Sequence, residues 1–307
     1  MKRLTNAVAE YLGLRRSLGF KLRHETWWLP DFASYLKQHR SSVITTKLAL
    51  RWARQPHNAS PNWWARRLGA VRRFAKYHHA FDPRNEIPPT DLIPYRPIRV
   101  TPYIYTNEEI AEVMRHAANL SHQLQSATYP TLIGLLAATG MRLGEAIALE
   151  MDDVDLGRSL VTVRKGKFGK LRELPVHETT IRALRSYAMV RDRIRPNRKC
   201  CKFLVSNVGT ELLQQNIGHV FARLRQSAGI VKPGRRAPRI HDLRHTFAVK
   251  TLLDWYRADI GVERRLPWLS AYLGHVSPTT TYWYLTATPE LLALASERAE
   301  RAREVQS

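Results

Sequence analysis

The sequence predicts a mainly α-helical protein of two domains, with one small antiparallel β-sheet in the second. Three observations predict this. Apolar residues recur at helical spacing through most of the 307 residues. A proline-rich stretch without periodicity interrupts them once, and one short segment switches to period two. At ~100 to 200 residues per domain, the length leaves room for two cores.

From Leu4 to about Ala80 the spacing is helical, as in Val8, Tyr11 and Leu12 and again in Trp64, Leu68, Val71 and Ala75, so residues 1–82 are expected to form an all-helical domain. Ser60 followed by Pro61 is a helix start, a capping side chain with proline at the first helical position. The helix that follows carries Arg66, Arg67, Arg72, Arg73 and Lys76 with no acid among them. Such a run repels itself in isolation, which favours a face that meets phosphates. Trp27, Trp28, Trp52, Trp63 and Trp64 read as core or interface residues.

Pro83, Pro88, Pro89, Pro94 and Pro97 mark an extended linker over residues 83–102. Residues 103–290 then form the second domain. Thr106 with Glu109 resembles a capping box opening a helix to about Ala118. A second helix runs from Pro130 toward Thr139 and breaks at Gly140, and Leu143 to Glu150 reads as a third. Period two in Leu160 to Val163 and in Leu171 to Val176, around the glycine-containing KGKFGK, predicts a hairpin with a basic tip. From His177 the pattern is helical again, with breaks at 196–202 and 232–239. Residues 291–307 read as a helical tail, and the stretch Pro289 to Arg303 as a helix able to dock on a neighbouring subunit.

Forty-nine Lys and Arg against twenty-six Asp and Glu give a net charge of +23, and 44% hydrophobic content places that charge on a folded protein. A large polyanion is the expected partner. Cys200 and Cys201 are adjacent, which suits neither a disulfide framework nor a zinc site and points to a reducing, cytoplasmic compartment. No apolar run of about eighteen residues and no signal-peptide core occurs, so no membrane association is expected.

Four motifs stand in the second half: TGMRLGE at 139–145, KGKFGKLRELP at 165–175, HDLRH at 241–245 and LGHVSPTTTYWY at 273–284. Two separated arginines, Arg142 and Arg244, suit a phosphate, since each offers a charged planar fork. His241 and Arg244 share a helical face, where an imidazole could hydrogen-bond a phosphate beside the guanidinium. HDLRH also has the outline of an HExxH zinc pattern, against which stand Arg244 beside the metal and the lack of a third ligand. Asp152, Asp153 and Asp155 are close enough to suggest a metal-dependent nuclease.

Together, and in this order, the motifs resemble the tyrosine recombinase (phage integrase) family. The resemblance implies a helical core-binding, SAM-like N-terminal domain and a catalytic domain of the DNA breaking-rejoining fold. It implies catalytic roles for Arg142, Lys167, His241, Arg244, His275 and Tyr284, the last lying nine residues after His275 as in the family pattern. Lys165 and Lys170 compete with Lys167 for the general-acid role and otherwise bind DNA; Tyr282 is the alternative to Tyr284. Glu145 and His245 are supporting residues. The family needs no cofactor and no metal, and acts as a tetramer on two duplex DNA sites through a four-way junction. A homo-tetramer, a hetero-tetramer with related recombinases, and a nucleoid-associated location follow from that likeness. A DNA-binding partner of other recombinases, or a type IB topoisomerase activity, are the neighbouring alternatives.

Overall fold

A computed structural model describes residues 2–95, 101–164, 171–197, 200–231, 237–275, 277, 279–286 and 288–304. It divides into two compact units, residues 1–100 and 101–307.

Among its described residues the first unit has four helices: α1 (Lys2–Ser17), α2 (Glu25–Gln38), α3 (Thr46–Ala53) and α4 (Pro61–His79). Thr45 and Ser60 cap α3 and α4 by accepting from the Leu48 and Trp63 amides. Val8, Tyr11 and Leu12 of α1 meet Leu29, Phe32 and Leu36 of α2, Trp52 of α3, and Leu68, Val71 and Phe74 of α4 in one core. Trp28 and Trp52 are buried as expected, but Trp27 is 77% exposed. The first part of the proline-rich segment is packed down rather than extended. Asn85 is buried and accepts from the Ile44 amide, and Ile93 joins the core.

The second unit contains α5 (Asn107–Ala118), α6 (Gln123–Thr139), α7 (Leu143–Ala146), β1 (Val154–Asp155), β2 (Leu160–Val163), β3 (Arg172–Pro175), α8 (Glu178–Ile194), α9 (Gln214–Ser227), α10 (Asp242–Arg257), α11 (Val262–Leu273), α12 (Thr279–Tyr282) and α13 (Pro289–Glu304). The strands form one antiparallel sheet, β1-β2-β3, with Val161 opposite Leu174. One core joins α5, α6, α8, α9 and the sheet; a second joins α10, α11, Tyr284 and Leu291. The Thr106–Glu109 capping box forms.

Two boundaries differ from the sequence expectation. α6 begins at Gln123 and runs through Pro130, because a helix loses only one backbone bond to an internal proline when packing holds its flanks. α7 stops at Ala146, since the chain beyond it pairs across to residues 201–203: the Phe203 amide donates to the Leu149 carbonyl and the Met151 amide to that of Cys201. α13 lies on its own unit, with Leu291 buried and Glu290 2.6 Å from Arg257.

Candidate active site

Two helix ends supply the floor of the site. α6 and α11 finish on Gly140 and Gly274, both left-handed at φ 58° and 66°. A side chain is excluded at each: a Cβ would lie 2.5 Å from the Phe247 ring at Gly140 and 2.7 Å from the Arg172 guanidinium at Gly274. The carbonyls of these last turns, at the negative ends of helices and without partners inside the helix, attract cations. Arg244 donates from Nη1 to the Gly140 carbonyl (2.7 Å) and from Nη2 to that of Leu273 (2.6 Å). Arg142 donates from Nη2 to the Gly274 carbonyl (3.0 Å). Arg244, from α10, thereby ties the ends of α6 and α11 together, and Arg142, at the start of α7, is held to the end of α11.

Glu145 fixes Arg142 from the other side. Its Oε2 accepts from the Arg142 amide (2.9 Å) and its Oε1 from Arg142 Nη1 (2.8 Å). Arg172, on β3, adds a second cation, donating from Nη2 to Glu145 Oε2 (2.7 Å) and from Nε to the Tyr272 carbonyl (3.0 Å). Burial opposes the charged form of Glu145, but Arg172 and Arg142 outweigh it and hold the carboxyl below its usual range.

Tyr284 sits in the 3-10 turn Trp283–Thr286 and is 2% exposed. Its hydroxyl is 3.1 Å from His245 Nδ1. The His275 ring lies nearly parallel to the phenol, 6.2 Å between centroids, with its Nδ1 2.7 Å from Thr281 Oγ1. His241 packs edge-on to His245 at 5.0 Å. Burial raises the Tyr284 pKa, while Arg244 and then Arg142 pull it back. Burial and the charge of Arg142 lower Arg244 only to about 10, so it stays cationic at neutral pH. Burial and neighbouring cations push His245 and His275 down to about 4 and lower His241 as well. All three imidazoles are therefore neutral at neutral pH.

Of the residues singled out in the sequence, the structure brings Arg142, Glu145, His241, Arg244, His245, His275 and Tyr284 together. Lys165, Lys167 and Lys170 lie outside the described residues. Tyr282 is half exposed while Tyr284 is buried. HDLRH directs His245 toward a phenol, which leaves the zinc outline without support. Asp153 is buried in an ion pair with Arg164, and Asp155 accepts from the Gly157 and Arg158 amides. Arg172 was not foreseen: it stands in the KGKFGKLRELP motif, where a strand pattern gives only its face.

The basic face of α4 needs two corrections. Arg67 is buried, stacked 3.8 Å over the Trp52 ring, bonded to the Trp52 carbonyl and 3.5 Å from Asp31. Arg72 is half-buried and donates to the carbonyls of Pro88, Pro89 and Thr90. Neither presents a free cation, because the helix turns about 100° per residue and these two positions face the protein. Arg66, Arg73 and Lys76 remain exposed along one stripe, with Arg73 paired to Glu25 at 2.8 Å.

Fixed guanidinium groups, neutral imidazoles and a buried phenol thus meet at one place in the second unit. Residues 104–290 match the phage integrase family, and the chain belongs to that family, the tyrosine recombinases, enzymes that break and rejoin DNA. It is 43% identical over 308 residues to a chain of Sinorhizobium fredii named as an integrase/recombinase, y4rB, covering 98% of each. It is 30% identical to tyrosine recombinase XerD of Vibrio cholerae, over 80% of this chain and 77% of that one. The fold matches the crystal structure of XerH site-specific recombinase bound to difH with a TM-score of 0.65, at 21% identity over 89% of this chain and 78% of that chain.

Proposed function

We propose that this chain is a site-specific recombinase of a mobile element, which cuts and rejoins duplex DNA through a 3′-phosphotyrosine on Tyr284. The observation that carries the reading is the buried Tyr284 hydroxyl, 3.1 Å from His245 Nδ1 and within the field of Arg244 and Arg142, which pull its pKa down against burial. Attack of a phenol on a phosphodiester builds negative charge on the non-bridging oxygens, and preorganised cations offset it. Each guanidinium has five N–H donors, of which the helix-end carbonyls and Glu145 take only some. Arg142 and Arg244 bind those oxygens; His241 and His275 add neutral donors. Lys167 protonates the leaving 5′ oxygen. The phosphotyrosine keeps the energy of the broken ester, so rejoining draws on no ATP.

Duplex DNA is the partner, and exposed Arg66, Arg73 and Lys76 of α4, with Lys165 and Lys170, contact its backbone. The net charge of +23 suits that role through counterion release. Subunits assemble as a tetramer, alone or with related recombinases, and exchange strands through a four-way junction. The similarity to a chain named integrase/recombinase supports the mobile-element role.

The test uses a pool of nicked duplexes of randomised sequence, incubated with the full chain in chelator and scored for detergent-stable adducts. Adducts mapped to Tyr284 and lost in Tyr284→Phe are expected. No adduct, an adduct elsewhere, or trapping that survives Tyr284→Phe overturns the reading.

A further inference from the structure

Given the recombinase reading above, we infer that Arg172 is a positioning residue for cleavage: it cancels the charge of Glu145, so that the positive charge of Arg142 is left for the scissile phosphate. Three consecutive carbonyls at the end of α11 each accept from a different arginine. Tyr272 accepts from Arg172 Nε at 3.0 Å, Leu273 from Arg244 Nη2 at 2.6 Å and Gly274 from Arg142 Nη2 at 3.0 Å. Arg172 therefore stands in one cluster with the two arginines assigned to the phosphate. Gly274 makes room for it, since a Cβ there would lie 2.7 Å from Nη1 and 3.0 Å from Cζ.

The donors of Arg172 are engaged within the protein. Nη2 donates to Glu145 Oε2 at 2.7 Å and Nη1 to Glu145 Oε1 at 3.3 Å, beside the Nε bond to Tyr272. Its side chain is 12% exposed against 28% for Arg142. Arg142 is thus the one that meets the phosphate, and Arg172 acts on it through Glu145.

A pair of Arg142 and Glu145 alone would serve the chemistry poorly, for an electrostatic reason. The carboxylate lies 2.8 Å from Arg142 Nη1. Opposite charges that close look neutral to a phosphate several ångströms away, whereas the attack of Tyr284 builds negative charge that a cation must offset. Glu145 is needed all the same, because it sets the Arg142 side chain from the face opposite the Gly274 carbonyl. Arg172 resolves the conflict: it shares the carboxylate, and the three side chains together carry one net positive charge. Burial works against an ionised Glu145, and the bond from Arg172, followed by those from Arg142, outweighs it. Because Arg172 sits on β3, paired with Val163 of β2, the compensating cation is in place before any DNA arrives.

The experiment measures the rate of Tyr284 adduct formation at saturating DNA, on a nicked duplex enriched from the randomised pool with the wild-type chain. DNA retention and thermal midpoints are measured alongside. The same duplex is also made with a methylphosphonate at the scissile position, where a neutral methyl replaces one charged oxygen. Arg172→Met should slow the reaction on the ordinary duplex by about 100-fold, the size of losing one transition-state donor, with DNA retention little changed. On the methylphosphonate its deficit relative to wild type should shrink by roughly tenfold, because less charge develops. Adding Glu145→Gln to Arg172→Met should restore roughly tenfold in rate, since removal of the carboxylate returns to Arg142 its field. Arg172→Lys keeps the cation and should stay within about tenfold of wild type; it carries the test if Arg172→Met does not fold. Wild-type speed in a folded Arg172→Met overturns the assignment. So does a deficit of equal size on both duplexes, a double variant no faster than Arg172→Met, or a loss of about 100-fold in a folded Arg172→Lys, which are the results of a purely structural role. Should the wild-type chain itself yield no Tyr284 adduct, it is the recombinase reading that fails.

Discussion

At Arg142 and Arg244 the shape of the guanidinium matters as much as its charge. Arg142 reaches Glu145 and the Gly274 carbonyl at once and still has donors for a phosphate. An ammonium has three donors on a flexible stem and cannot repeat that fork. Arg142→Lys is therefore expected to slow Tyr284 adduct formation by roughly 100-fold or more, as does loss of one transition-state donor elsewhere. Its thermal midpoint and DNA retention should change little, because the side chain is partly exposed. Arg244 differs: it is 3% exposed and spans the ends of α6 and α11. Arg244→Lys leaves at least one buried carbonyl without a donor, at a cost of about 1–3 kcal/mol. Loss of adduct together with a lower midpoint is expected there. An Arg244→Lys protein as stable as wild type would show that the two carbonyls are satisfied some other way.

The elements explain what a linear reading could and could not supply. The helices of both units were legible because apolar residues recur at three and four, and Thr106 with Glu109 and Ser60 with Pro61 mark starts by local chemistry. Four motifs named most of the residues that now surround Tyr284. Which imidazole touches the phenol was not legible, since that depends on how the 3-10 turn at Trp283 is set against α10. Neither was the difference between Arg66 and Arg67, adjacent letters of which one is exposed and the other lies on Trp52. That difference is measurable. Arg66→Ala and Lys76→Ala should each reduce the slope of log affinity for duplex DNA against log salt by about 0.9, the value per phosphate contact. Arg67→Ala should leave the slope alone and lower the thermal midpoint through lost packing on Trp52. Equal slopes in all three variants would remove α4 from the DNA interface. The tie between β3 and α7 was equally hidden, because a strand pattern tells which face Arg172 takes and not its partner. Arg172→Met leaves the buried Glu145 with Arg142 alone, and breaking a buried pair costs on the order of 3–5 kcal/mol. In a Glu145→Gln background the same change should cost much less, as the stranded charge is gone. Equal losses in both backgrounds, by denaturant midpoint, would mean that Arg172 acts by packing.

Across the whole molecule, the catalytic unit folds around cations and imidazoles that it must keep neutral. His245 and His275 are lowered to about 4, and His241 is lowered too, each chiefly by burial. In the unfolded chain a histidine titrates near ~6.5. Between those values the unfolded state binds protons that the folded state refuses, so stability is complete above about pH 6.5 and falls with pH toward 4. Glu145 works in a separate window: its folded pKa is depressed, so its contribution persists until the pH drops below the ordinary carboxylate range. The interval from pH 6.5 to 5 therefore reports on the imidazoles rather than on Glu145. His78 of the first unit, also lowered by burial, adds a background slope that variants in the second unit leave untouched. The thermal midpoint of the full chain, followed from pH 7.5 to 4.5 at constant ionic strength, is expected to decline through that interval. His245→Gln with His275→Gln should flatten the decline, because glutamine takes no proton in either state. A double variant that loses stability as steeply as the wild-type chain would show that these two rings are free to charge in the folded protein.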